Sequence, residues 1–128
     1  MTPTKTPRTL VASGSNAAGA TTRGTSDQRT TFGGLLTARI TNGATGPTVQ
    51  CVCNVLIAHD SGATPTAGSQ GATWKLFTQF GGGTTANAVT EMAIPIPQAA
   101  MHVCVEFTGN TGQAVTVESM LSETTSVA

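Results

Sequence analysis

Apolar and polar residues alternate with period two along most of this chain from Leu35 onward, which is the pattern of half-buried β-strands. In Leu35–Asn42, Leu36, Ala38 and Ile40 share one face, and Thr37, Arg39 and Thr41 share the other. Thr48–His59 is the most apolar stretch. Val49, Cys51, Cys53, Val55 and Ile57 face one way, and Val52, Leu56 and Ala58 face the other with Gln50 and Asn54. A strand apolar on both faces belongs in the middle of the structure or under a neighbouring subunit. Thr73–Phe80 is expected to turn Trp74, Leu76 and Phe80 inward, with Lys75, Phe77 and Gln79 opposite. Ala86–Ile96 aligns Ala88, Thr90, Met92, Ile94 and Ile96, while Pro95 and Pro97 end it or hold it at a sheet edge, because proline has no ladder donor. Met101–Thr108 places Met101, Val103, Val105 and Phe107 in and His102, Cys104 and Glu106 out. Ala114–Ser122 returns with Val115, Val117 and Leu121 inward.

Turn signals separate these segments: Gly43–Pro47, the long polar stretch Asp60–Gly71, the glycine triplet at 81–83, and Gly109–Gly112. The last of these predicts a hairpin between the two final strands. The first 34 residues are rich in Thr, Pro, Ser, Gly and Ala. They read as an arm with a short strand at Thr9–Ser13 and a loop at Gly14–Gly24, laid over a body that spans 35–128. Seven or eight strands without sustained 3.6-residue periodicity predict a single-domain, all-β antiparallel sandwich, with a jelly roll as one form of it.

Composition sharpens this picture. Threonine fills 25 of the 128 positions, and Asp, Glu, Lys and Arg together fill only 9%, against roughly 25% in average domains. The surface must then be solvated by hydroxyls, amides and backbone, and β-branched threonine suits a pleated, half-exposed sheet face. Zero net charge removes the electrostatic footprint of a nucleic-acid binder, and scarce charge of either sign favours association. Four of the six basic residues, Lys5, Arg8, Arg23 and Arg29, lie in the first 29 positions. They are the candidate partner contacts. The arm Met1–Gly24, kept extended by Pro3 and Pro7, would carry them to an acidic surface on a neighbour. The beginning MTPTKTPRTLVASGS lacks the apolar core of a signal peptide, and no apolar run approaches the length of a membrane span. The three cysteines are an odd number, and Cys51 and Cys53 would sit about 6.5–7 Å apart on one face, at the limit of disulfide geometry. A reducing place of synthesis fits this usage.

The candidate chemistry is thin. Cys51-x-Cys53 with His102-x-Cys104 has the ligand types of a zinc site, but the spacing differs from that of zinc modules, and alternation sends the two pairs to opposite directions. Adjacent His59 and Asp60 would point to opposite faces of a strand, and no serine sits in a nucleophile elbow. Glu91, Glu106, Glu118 and Glu123 are the only glutamates. A glycosidase pair among them would lack the aromatic platform of a sugar cleft, since the chain has one Trp and no Tyr. The triplet at 81–83 is not followed by the Lys-Ser/Thr of a phosphate loop. No catalytic residue, metal or cofactor is expected.

The stretches TLVASGSNAAGATTRGT, GGLLTARITNGATGPTVQC, FGGGTTANAVTE and VEFTGNTGQAVTVES resemble small virion structural proteins of tailed bacteriophages, and the likeness spans most of the chain. The resemblance implies a β-sandwich or jelly roll that decorates or cements a capsid exterior, made in the bacterial cytoplasm. Its partners would be further copies of itself, with a trimer favoured, and the major capsid protein or other virion proteins. A neck or tail component, such as a connector ring or fibre-attachment protein, is the alternative. A lectin-like module and a small enzyme are the competing classes outside the virion.

Overall fold

The computed structural model describes residues 2–127 and contains eight strands in two four-stranded antiparallel sheets. The strands are β1 (Thr4–Asn16), β2 (Thr22–Asp27), β3 (Gly34–Asn42), β4 (Val52–Ala58), β5 (Lys75–Gly81), β6 (Val89–Ile96), β7 (His102–Thr108) and β8 (Val115–Ser126). The first sheet has the order β1-β8-β3-β6, and the second β2-β7-β4-β5. The protein is thus an all-β sandwich. Only the β4–β5 link stays within one sheet; every other link crosses to the opposite sheet.

The expected alternation builds the core. Leu36, Ala38, Ile40, Ile94, Ile96, Val115, Val117 and Leu121 of the first sheet meet Cys53, Val55, Val103, Val105 and Phe107 of the second. β4 lies between β5 and β7 and is buried on both faces, as its double-sided apolar pattern requires. Burying these side chains supplies the main stabilisation, each large aliphatic or aromatic contributing about 1.5–3 kcal/mol.

Three expectations are corrected. The two final strands form no hairpin: β7 pairs with β2 and β4, and β8 with β1 and β3. The segment between them arches from one sheet to the other. Gly109 (φ 94°) and Gly112 (φ 81°) supply its left-handed corners. The buried Asn110 side chain pins the arch by donating to the carbonyls of Asn16 (3.0 Å) and Gln113 (3.0 Å). Secondly, the first 34 residues are more regular than an arm. β1 is a 13-residue edge strand on β8, and β2 is the facing edge strand on β7. Gly14–Gly24 is therefore strand at both ends, and Met1 lies outside the described residues. Gly24 lets these edges close on each other, because a Cβ there would stand 2.1 Å from the Leu10 carbonyl oxygen. Thirdly, a register shift opposite Val55/Leu56 splits the expected inward row of β5. Thr78 and Phe80 pair with the core residues Val55 and Cys53, while Leu76 pairs with Leu56 on the outer face. Trp74 follows Leu76 outward and is buried with Leu56, Ala58 and Cys104 in a second, smaller cluster.

Candidate functional site

The two outer faces of the sandwich differ. The outer face of β2-β7-β4-β5 is roofed by the chain's own loop 59–74. Trp74 anchors the roof, its indole Nε1 donating to the Thr66 carbonyl at 2.9 Å. Beneath it lies Glu106, expected to point outward and here buried on that outer face. Its carboxylate accepts from Asn54 Nδ2 (2.9 Å), Ser69 Oγ (2.7 Å) and Arg23 Nε (2.8 Å). Burial alone would push the Glu106 carboxyl up, but these three donors outweigh it and hold it below the usual carboxylate range. His102 and Cys104 also point to the outer side, and the same roof buries them. His102 Nε2 donates to the Asp60 carbonyl at 2.9 Å. Arg29 completes the clamp, gripping Asp27 at 2.7 Å and donating to the Ser61 carbonyl at 3.1 Å. The Arg29 hydrogen bonds hold the Asp27 carboxyl down to about 2.

The four candidate partner contacts separate accordingly. Arg23 and Arg29 staple the loop to the sheet, Arg23 through Ser69 Oγ at 2.9 Å. Arg8 forms an ion pair with the buried Glu123. Lys5 is exposed and stands with Gly34, Leu35, Ser122 and Thr124 around a shallow depression on the other sheet. The alternation in the chain located these residues on strands. It did not reveal Ser69 or the loop as their partners, because that contact spans 46 positions in sequence.

The cysteines are divided between the two faces. Cys51 and Cys53 belong to the main core, and Cys104 to the cluster under the loop. Burial pushes the thiols up, to about 11 for Cys51 and about 12 for Cys53. Among the described residues, no three His, Cys, Asp or Glu side chains gather as a metal-holding group.

The outer face of β1-β8-β3-β6 carries no such roof among the described residues. Its register sets out rows across the strands. Pro7, Ser122, Leu35 and Pro95 form one row, and Thr9, Met120, Thr37 and Ala93 the next. Above them Glu118, Arg39 and Glu91 align, with Arg39 at 3.4 Å from each carboxylate. Leu35 is 48% exposed and Met120 41%. A cleft of about 290 Å³ at the charged end is lined by Ser13, Arg39, Thr41, Val89, Thr116 and Glu118.

The sheets approach each other most closely where β1 meets β2, and the opposite side, between the edge strands β5 and β6, stands open. A groove of about 440 Å³ runs along that opening, lined by Phe77, Thr78, Met92, Ala93, Ile94 and Pro95.

Fold and surfaces together define a β-sandwich with one roofed outer face, one bare outer face and an open side between β5 and β6. Solved structures of similar fold include the K3 cleaved adhesin domain of Lys-gingipain from Porphyromonas gingivalis (TM-score 0.59, 9% identity, 86% of this chain and 72% of that one). A family 29 carbohydrate-binding module from Piromyces equi matches over 94% of this chain and 91% of its own (TM-score 0.50, 9% identity). The SPBc2 prophage-derived protein YomS aligns over 95% and 96% of the two chains at 18% identity, with a TM-score of 0.45. The first two likenesses show the sandwich fold. Neither a protein-family model nor a curated protein sequence matches this chain.

Proposed function

We propose that this chain is a structural protein of a bacteriophage virion, a decoration or cement protein that binds the capsid exterior across capsomer boundaries. The observation that carries the reading is the bare outer face of β1-β8-β3-β6, with Leu35, Met120, Pro7 and Pro95 in adjacent rows among threonines. Such a face meets a partner by apolar and hydroxyl contacts, with little desolvation of charge. The winding, in which every link but β4–β5 crosses between the sheets, and the resemblance to small virion proteins support the same reading. Lys5 at the rim is the member of the basic set placed to meet an acidic partner group.

The four strands of this sheet have 13, 12, 9 and 8 residues, and at their mean length the face spans roughly 19 Å by 35 Å, or about 650 Å² in projection. A standard interface uses about 800 Å² per partner. One face alone therefore binds weakly, and repetition through an oligomer supplies the avidity. The test is copy number in purified virions, measured by quantitative mass spectrometry against the major capsid protein. Copies on the order of hundreds support a shell-covering role. A dozen or fewer would place the protein in the neck or tail, and absence would overturn the virion reading.

The hydroxyl-lined cleft around Arg39 favours a second reading, a glycan-binding module. Arg39, Glu118, Ser13, Thr41 and Thr116 offer donors and acceptors suited to sugar hydroxyls. Titration against a glycan array, with Arg39→Ala as control, decides it: no saturable binding removes this reading.

A further inference from the structure

We propose that the open β5–β6 side of the sandwich is a two-fold self-association surface whose occupant is the same side of a second copy. The inference goes beyond the virion reading and holds in solution without it.

The side is apolar in its middle. Phe77 is 40% exposed and Met92 39%, and both line the groove with Ile94 and Pro95. Its two ends carry opposite charge. Gly82, just beyond β5, packs against Ile40, which pairs with Thr90. The C-terminal end of β5 therefore lies beside the start of β6, and Lys75, at the other end of β5, lies at the far end from Glu91. Lys75 is exposed and its Nζ reaches only the Gly71 carbonyl, at 3.3 Å. Its charge is unpaired among the described residues. At the other end Glu91, with its side chain 57% exposed, and Glu118 share the single guanidinium of Arg39. One surplus cation and one surplus anion thus flank an apolar centre.

A two-fold axis through that centre exchanges the ends. Lys75 of each copy then meets Glu91 of the other, and Phe77 of each copy packs against Met92 of the other. This is the self-complementarity that an isologous interface requires. The contact runs through side chains and does not extend a ladder. Pro95 lacks an amide donor on β6, and the register shift bends β5.

Sedimentation equilibrium of the full chain, from micromolar to sub-millimolar concentration, tests the proposal. The wild type is expected to show a reversible monomer–dimer equilibrium that weakens with salt. Lys75→Glu sets like charges together twice per dimer and should weaken it at least about tenfold. The double variant Lys75→Glu/Glu91→Lys restores opposite pairing and should return to within about threefold of the wild type. Phe77→Ser/Met92→Ser, at half-exposed positions, should leave a folded monomer by far-ultraviolet circular dichroism. A wild type that stays monomeric throughout overturns the proposal. So does a trimer, or a dimer whose affinity Lys75→Glu leaves unchanged.

Discussion

Glu106 shows how one residue reports on the fold. Its carboxylate is buried and held by Arg23, Asn54 and Ser69, from one strand beside it on each side and from the loop above. Because its folded value is lowered, the stability it contributes is fully present above the ordinary value of 4.5 and is lost as pH falls through the lowered one. Glu106→Gln should cost about 1–3 kcal/mol at neutral pH, from lost charge-assisted hydrogen bonds. It should also flatten the acid limb of the stability curve below pH 4.5. Urea midpoints across pH measure both effects, and a variant with the wild-type slope would remove Glu106 from the account. Gly24 is a second such residue. Gly24→Ala forces the β1 and β2 edges apart at the Leu10 carbonyl and should cost about 2–4 kcal/mol in thermal unfolding. Gly14→Ala is the control: its nearest neighbour would be 3.7 Å away, and a change within about 0.5 kcal/mol is expected. Alternation in the sequence placed Glu106 on an outer face correctly. It could not show that the face is covered, since exposure is set by whatever segment folds over it.

Among the elements, loop 59–74 departs most from its sequence appearance. Its Ser, Gly, Thr and Ala composition reads as solvent-exposed loop, yet Trp74, Ser69 and the Asp60 and Ser61 carbonyls fix it over the second sheet. Trp74→Ala should release this roof while the sandwich remains folded. The Cys104 thiol, roofed by the loop, should then react with a thiol reagent, and Cys51 and Cys53, in the main core, should stay protected until global unfolding. Equal reactivity of all three thiols would mean that the loop and the sandwich unfold together. β5 teaches a related lesson. Strict period two put Trp74, Leu76 and Phe80 on one face, and one bulge sent the first two to the other. A bulge depends on the partner strand, so local periodicity does not announce it.

For the molecule as a whole, the N-terminal segment is part of the sandwich edge. Deleting residues 2–12 would remove most of β1 and uncover β8, so loss of particle binding in that variant would report on folding. Point substitutions on the bare face separate the two effects. Leu35→Asp and Met120→Asp, both at exposed positions, should leave the melting temperature within a few degrees. If the proposed capsid role is right, they should reduce binding to particles stripped of the protein by at least about tenfold. Unchanged binding would move the docking surface elsewhere.

The chain's own pattern was sufficient for the all-β class, six of the strand positions from Leu35 onward, the inward residues of β3, β4, β7 and β8 (Met101, expected inward, is exposed just before β7), and the low charge of the surface. These follow from side-chain chemistry read at period two, which is local. Tertiary structure decided which strands pair, and it broke the expected β7–β8 hairpin because an arch and a hairpin carry the same Gly-Asn turn residues. It also decided that β1 and β2 close one side of the sandwich, that three of the four basic candidates are held within the molecule, and that one outer face is roofed while the other is bare. Each of these depends on contacts between residues far apart in sequence, and such contacts leave no periodic trace in it.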